Sequence, residues 1–222
     1  MTDLVVIVPT RGRPHAAREL AQTFKQTCTG DTELVFAVDD NDPTREQYEA
    51  VGAVMALPSR TMNQALNMAA AHVAKQDDVL AIGFMGDDHR PRTVAWDQAY
   101  IDVLREFGTG IVYGNDLLQG EKLPTQVAMT ANIVRTLGFY APPDQKHLYL
   151  DNFWLDLGRA AGCLCYLPDV IVEHVHPFAH KAEMDEGYVR VNAPEMYDHD
   201  RVAYEKYRRE RFADDVAKVR AL

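Results

Sequence analysis

The stretch Val79-Leu80-Ala81-Ile82-Gly83-Phe84-Met85-Gly86-Asp87-Asp88-His89-Arg90-Pro91 decides the fold of this chain. Its first half is a short apolar run bounded closely by Gln76-Asp77-Asp78 and by Gly86, which suits a buried strand better than a helix. Two adjacent acids, Asp87 and Asp88, stand where that strand ends, with His89 beside them. Ligands of open α/β sheets gather at the carboxyl ends of strands. Neighbouring carboxylates repel unless a proton or a cation lies close by, so the pair points to a divalent metal holding an anion. An Asp-Asp pair after a strand is equally an ordinary solvated turn, because Asp favours turns through local hydrogen bonds. The sequence on either side separates the two readings.

Upstream, Leu4 to Val8 is a continuous β-rich run of the kind found in strands covered on both faces. Pro9-Thr10-Arg11-Gly12-Arg13-Pro14 breaks it, and Pro14 opens a helix to about Thr27 with Ala17, Leu20, Ala21 and Phe24 at helical spacing. A strand from Leu34 to Val38 ends in a second acidic cluster, Asp39-Asp40-Asn41-Asp42. A short helix from Thr44, a short strand over Val54 to Leu57 and a helix from Ser59 to about Lys75 lead into the central stretch. Ser59 or Thr61 suits the cap of that last helix. Downstream come a helix from Thr93 to Phe107 and a strand from Ile111 to Tyr113 that stops at Gly114-Asn115-Asp116. Strands alternating with helices predict an α/β fold, a mostly parallel sheet with helices on both faces.

The second half is less regular. Leu117 to Met129 reads as loop plus one strand, Ala131 to Leu137 as a helix ended by Gly138, and Asp151 to Ala161 as another helix. Cys163 to Leu167 and Val170 to His176 read as two strands parted by Pro168-Asp169. His180 to Pro194 has charge but no period, as a mobile loop would, and Glu195 to Arg220 reads as one long charged helix. No linker or repeat interrupts the chain. The expectation is one domain in three stretches, residues 1–115, residues 116–194 and a C-terminal helix over 195–222.

Composition narrows the function. The chain has 222 residues, of which 47% are hydrophobic and 25% charged, ordinary proportions for a globular protein. A net charge of −10 argues against nucleic acid as a partner, since counterion displacement needs a dense basic face. It leaves room for a nucleotide held by a metal and a few arginines. Three cysteines without scaffold spacing suggest a reducing compartment. No apolar run reaches membrane-spanning length and Met1-Thr2-Asp3 lacks the basic start of a signal peptide, so the cytoplasm is the expected location.

The chemistry-bearing residues fall into few groups. The chain has neither a Gly-x-Gly-x-x-Gly after the first strand nor a phosphate loop ending in Gly-Lys-Ser/Thr. It offers acids at two strand ends, Asp39/Asp40 and Asp87/Asp88, with Arg11, Arg13 and Arg60 near the same edge. In Ile171-Val172-Glu173-His174-Val175-His176-Pro177, a strand would project His174 and His176 to one side, where imidazoles and carboxylates make a mixed site for Mn or Zn. A histidine pair satisfied by its neighbours is the plain alternative. Asp151 heads a helix, either as a structural N-terminal acid or as a general base at a pocket rim. Trp154, one turn on, suits the core or a platform for a sugar ring. Asn115 and Asp116, at a further strand end, are candidates for acceptor contact.

In this order the features resemble the GT-A glycosyltransferases, above all the large family 2 group and its short members in bacteria and phages. The resemblance spans about Val5 to His176 and rests on Ile7-Val8-Pro9-Thr10-Arg11-Gly12-Arg13, Asp39-Asp40, Gly86-Asp87-Asp88-His89, Leu150-Asp151 and His174/His176. It implies that Pro9, Thr10, Arg11 and Asp39 or Asp40 bind a nucleoside. The family's Asp-x-Asp motif reads Gly86-Asp87-Asp88 here, so Asp88 matches the metal-binding acid and the first acid is lost; another register puts His89 in that place. The family's late metal-binding histidine corresponds to His174 or His176. Its Glu-Asp base corresponds to Leu150-Asp151, with the Glu missing. Its Arg-Asn segment is altered to Met62-Asn63, leaving Arg60, Asn63 and Asn67 as candidates.

The resemblance implies a metal-dependent, inverting transfer of sugar from a nucleoside diphosphate sugar to an acceptor hydroxyl, with Mn or Mg as cofactor and Asp151 as base. A segment from Phe178 to Asn192 would close over the donor. Two other classes stay open at this point: a metal-dependent nucleotidyltransferase, and a non-catalytic binding protein on the same fold with a degraded site.

Overall fold

A computed structural model describes residues 2–177, 181 and 184–222, except the side chain of residue 186. Strand β1 (Leu4–Thr10) is buried along its whole length. Its odd and even residues feed two separate cores. Val5 and Ile7 pack on one face of the sheet with Leu66, Ala69 and Trp154. Leu4, Val6 and Val8 pack on the other with Leu20, Phe36 and Trp96. A strand with no polar face needs this arrangement, and it places helices on both sides of the sheet.

Helix α1 (Pro14–Thr27) opens on Pro14 as expected. Strand β2 (Thr32–Asp39), helix α2 (Arg45–Glu49) and strand β3 (Ala53–Leu57) follow. Helix α3 (Met62–Val73) begins three residues later than expected, because Thr61 is the residue whose side chain accepts the Gln64 N–H. Strand β4 (Ala81–Phe84) is the central strand. An unexpected short strand, β5 (His89–Pro91), comes directly after the two acids. Helix α4 (Trp96–Phe107), strand β6 (Ile111–Asn115), strand β7 (Val127–Thr130) and helix α5 (Ala131–Leu137) complete the middle of the chain. Gly138 ends α5 at φ +79, a left-handed conformation that favours glycine.

Helix α6 (Leu150–Ala161) leads into strand β8 (Leu164–His174). The two strands expected around Pro168 form this one element. Leu167 pairs with Gly114 and Ile171 with Asn115, so residues 168–170 are bulged out of the ladder, as suits a proline with no N–H to donate. Within the segment expected as a loop, residues 186–191 form helix α7 (Glu186–Val191); residues 178–180, 182 and 183 of that part of the chain lie outside the described residues. The long terminal helix is two helices, α8 (Pro194–Glu210) and α9 (Phe212–Arg220). The chain turns at Arg211, which lets Phe212, Val216 and Val219 fold back on the core beside α5 and α6. A straight helix would leave those side chains in water.

Among the described residues eight strands run in the order β3-β2-β1-β4-β7-β6-β8-β5. β1 is parallel to β2 and β4, β2 to β3, and β6 to β8. β7 enters antiparallel between β4 and β6. β5 pairs antiparallel with the end of β8, setting His89 opposite His174. That last pairing brings the two halves of the sequence to one point. Among the described residues no helix is long and apolar enough to cross a membrane.

Candidate functional site

A cavity of about 950 Å³ opens at the carboxyl ends of β1, β2 and β4. Its lining includes Pro9, Thr10, Arg11, Arg13, Asp39, Arg60, Asp87, Asp88, His89, Asp151, His174 and His176. Residues from the first strand and from the last thus share one space.

At one end, Asp39 at the tip of β2 accepts a hydrogen bond from Arg11 (2.7 Å) and another from the Ser59 hydroxyl. Arg11 also donates to Asn41 at 2.7 Å. Asp40 points outward to Arg60 (3.0 Å) and does not line the cavity. Of these two acids, Asp39 is the one that faces the cavity.

At the centre, the Asp87-Asp88 turn joins β4 to β5. Asp87 accepts from the Thr10 hydroxyl at 2.6 Å and pairs with Arg13 at 2.9 Å. Burial, opposed by Arg13 and reinforced by Asp88, pushes its carboxyl up to about 6. Asp88 faces two imidazoles, with His89 Nδ1 and His174 Nε2 each 3.4 Å from one of its oxygens. Burial alone would raise Asp88, but the hydrogen bond and charge of His174 outweigh it and hold the carboxyl well below the usual range. His174 rises in turn, since Asp88 outweighs the desolvation that would lower it. Burial and the neighbouring His174 lower both His89 and His176.

The turn is held from behind by Arg90, a residue that sequence reasoning passed over. Its buried guanidinium donates to the carbonyls of Asp87 and His89, both at 2.7 Å, and pairs with Glu19 of α1 at 2.6 Å. Val175 N–H donates to the Asp88 carbonyl, tying the end of β8 to the same turn.

The residues present fit a divalent cation. Asp88, His89 and His174 offer ligand atoms that all lie within 4.8 Å of one another. His174 Nδ1 is buried without a hydrogen-bond partner among the described residues. One carboxylate with two imidazoles is a donor set for Mn or Zn. Gly86 explains the missing first acid: a Cβ there would sit 2.5 Å from Asp88 Oδ1 and 3.2 Å from His89 Nδ1. Strand β5 instead carries the His89 ring into that space, where its Nδ1 accepts the Gly86 N–H at 3.0 Å. His176 lines the cavity 4.9 Å from the His174 ring but stands outside the group of three.

Helix α7 covers this centre. The Tyr188 hydroxyl donates to Asp88 Oδ2 at 2.7 Å, and Arg13 lies 4.6 Å over the Tyr188 ring. Arg13 also pairs with Asp185 at 3.3 Å. Nothing in the sequence pattern marks Tyr188, because the six residues of α7 are too few to show a helical period.

At the other end, Asp151 sits in the first turn of α6, its Oδ1 accepting the Asn152 N–H at 2.9 Å. Burial pushes its carboxyl up to about 6. The loop before it is fixed from α8: Asp200, fully buried, accepts the backbone N–H groups of Lys146, His147 and Leu148 at 2.9, 2.8 and 2.7 Å. The His147 imidazole lines the cavity, and burial lowers it to about 4.

Several candidates are engaged by the fold. Trp154 is on the cavity lining but fully buried, donating to the Tyr140 carbonyl and packing on Phe84. Asn63 is likewise buried, its amide donating to the carbonyls of Pro142 and Gln145. Asp116 accepts three N–H groups of its own loop and the Thr125 hydroxyl. Neither Asp116 nor Asn115 lines the cavity.

No protein-family model and no curated protein sequence matches the chain. Solved structures do. The chain is similar to TarS (residues 1–349) of S. aureus in complex with UDP, with a TM-score of 0.58 and 14% identity over 77% of this chain and 59% of that one. It is similar to the mannosyltransferase PcManGT of Pyrobaculum calidifontis in complex with GDP-Man and Mn2+ (TM-score 0.56, 14% identity, 98% of this chain and 73% of that one). It is similar also to glucosyl-3-phosphoglycerate synthase of Mycobacterium tuberculosis in complex with Mn2+, UDP and glucosyl-3-phosphoglycerate (TM-score 0.62, 12% identity, 92% and 79%). The chain thus spans 59% of the TarS fragment's length. At these identities the likeness establishes the fold, the Rossmann-like GT-A fold.

Proposed function

We propose that this chain is a metal-dependent glycosyltransferase that moves a sugar from a nucleoside diphosphate sugar to an acceptor hydroxyl with inversion. The observation that carries this reading is the convergence of Asp88, His89 and His174 in one cavity whose lining also includes Arg11, Asp39 and the carboxylate of Asp151. Solved structures of the same fold hold UDP or GDP-Man, two of them with Mn2+.

Asp39, positioned by Arg11 and Ser59, accepts hydrogen bonds from the nucleoside, and Thr10 and Pro9 line the wall beside it. Asp88, His89 and His174 would hold the cation, which when bound neutralises charge on the departing diphosphate. Asp87, fixed by Thr10 and Arg13, holds the turn in shape for Asp88. Asp151 takes the acceptor's proton as its oxygen forms the new bond to the anomeric carbon; the bond from that carbon to the diphosphate breaks on the opposite face. A carboxylate raised to about 6 is a better base near neutral pH than an ordinary one. Tyr188 and Arg13 cover the centre as part of a lid, and the Tyr188 hydroxyl donates to Asp88 Oδ2, an oxygen that would also serve a bound cation.

The test uses a panel of UDP, GDP, TDP and CMP with Mn2+ and then the matching sugar donors. A glycosyltransferase releases nucleoside diphosphate, or CMP from a CMP-linked donor; release of pyrophosphate would indicate nucleotidyl transfer instead. Asp88→Ala should abolish the dependence of nucleotide affinity on Mn2+, measured by calorimetry with and without the metal. Nucleotide affinity independent of metal in the parent protein overturns the assignment.

A further inference from the structure

Five lysine or arginine side chains line the cavity, and they fall into two kinds. Arg11, Arg13 and Arg60 each pair with an acid of the fold, Asp39, Asp87 and Asp40. Lys146 and Arg190 make no hydrogen bond or ion pair with a described residue through their side chains. The chain carries 33 acidic against 23 basic residues, so two such cations facing one space run against its overall balance. Lys146 stands on the loop that leads to Asp151 and Arg190 on α7, and both line the same cavity. Lys146 precedes Asp151 on the loop that Asp200 clamps through three consecutive N–H groups, and its own carbonyl accepts the Asn63 N–H at 3.0 Å. Its backbone is therefore fixed. Arg190 comes from α7, the helix that carries Tyr188, and its charge is felt at His147, the neighbour of Lys146.

We propose that Lys146 and Arg190 bind an anionic group on the acceptor, a phosphate or a carboxylate, and so hold the acceptor hydroxyl against Asp151. This rests on the glycosyltransferase reading and adds the acceptor's chemical class. Charge-assisted hydrogen bonds from an ammonium and a guanidinium suit such a group, and a neutral sugar hydroxyl needs neither. The transfer is unaltered: the acceptor proton goes to Asp151, the oxygen bonds the anomeric carbon, and the diphosphate leaves. The anion supplies orientation.

The experiment titrates glycerol 3-phosphate, glycerate and glycerol into the full chain loaded with Mn2+ and whichever nucleotide of the panel binds, and also into the chain alone. Glycerol 3-phosphate or glycerate should bind saturably, and the one that binds more tightly identifies the anion; glycerol should bind at least about tenfold more weakly. Lys146→Gln/Arg190→Gln should lose that difference while keeping the parent's nucleotide affinity, and Lys146→Arg/Arg190→Lys should restore most of it. Equal binding of glycerol and the anions overturns the proposal. So does a double variant whose nucleotide affinity falls instead, since the cations would then serve the donor diphosphate. Absence of nucleotide binding overturns the glycosyltransferase reading, and the anion titration of the chain alone still decides the fate of Lys146 and Arg190.

Discussion

Asp87 and Asp88 are neighbours in sequence with opposite circumstances. Asp87 is occupied by Thr10 and Arg13, whereas Asp88 looks onto two imidazoles and a tyrosine hydroxyl. Gly86 makes this possible by leaving room for both Asp88 and His89. Placing an acid there with Gly86→Asp should therefore weaken Mn2+ binding, by about tenfold as for other disturbed metal surroundings; tighter binding in calorimetry would show that His89 is not needed. Asp151→Asn should lower kcat by roughly 10²–10⁴-fold while nucleotide and Mn2+ affinity stay near parental, because a base contributes to the chemical step and not to donor binding. Loss of affinity as well would mark Asp151 as a structural acid of α6. Its raised carboxyl also sets a pH dependence: below about 6 it is protonated and cannot accept a proton, so kcat/KM should climb with pH through that value and then level off.

Among the elements, α7 and β5 were the hardest to foresee and the most consequential. β5 has three residues and α7 six, each fewer than two full periods of its own element type. What defines them is partnership: β5 exists because β8 pairs with it, and α7 is anchored at Arg13 and Asp88. Tyr188→Phe removes a hydroxyl that competes with a cation for Asp88. Mn2+ affinity should rise by about fivefold, the worth of one hydrogen bond of about 1 kcal/mol. An unchanged or lower affinity would mean that Tyr188 supports the site when metal is bound.

Across the whole molecule, the cavity joins residues from both ends of the chain. A ligand that binds only the assembled site stabilises the fold as a unit. Nucleotide with Mn2+ at a hundred times its dissociation constant should add about 2.7 kcal/mol, a rise in Tm of roughly 5–10 °C for a chain of this size. The Asp88→Ala protein should show the nucleotide's share without the metal's. Calorimetric scanning of both proteins checks this.

The alternation of strands and helices, the buried first strand, the acids at two strand ends and the helix under Asp151 were all legible in order along the chain, since each depends on near neighbours and on a period of 2 or 3.6 residues. Tertiary structure alone decided which of these groups meet. It set His89 opposite His174, paired Asp40 with Arg60, tied Asn63 and Asp116 to neighbouring backbone groups, buried Trp154, and brought Tyr188 onto Asp88. The physical reason is that a side chain's role depends on what fills the space beyond it, and for Asp88 that space is filled by a residue 100 positions away.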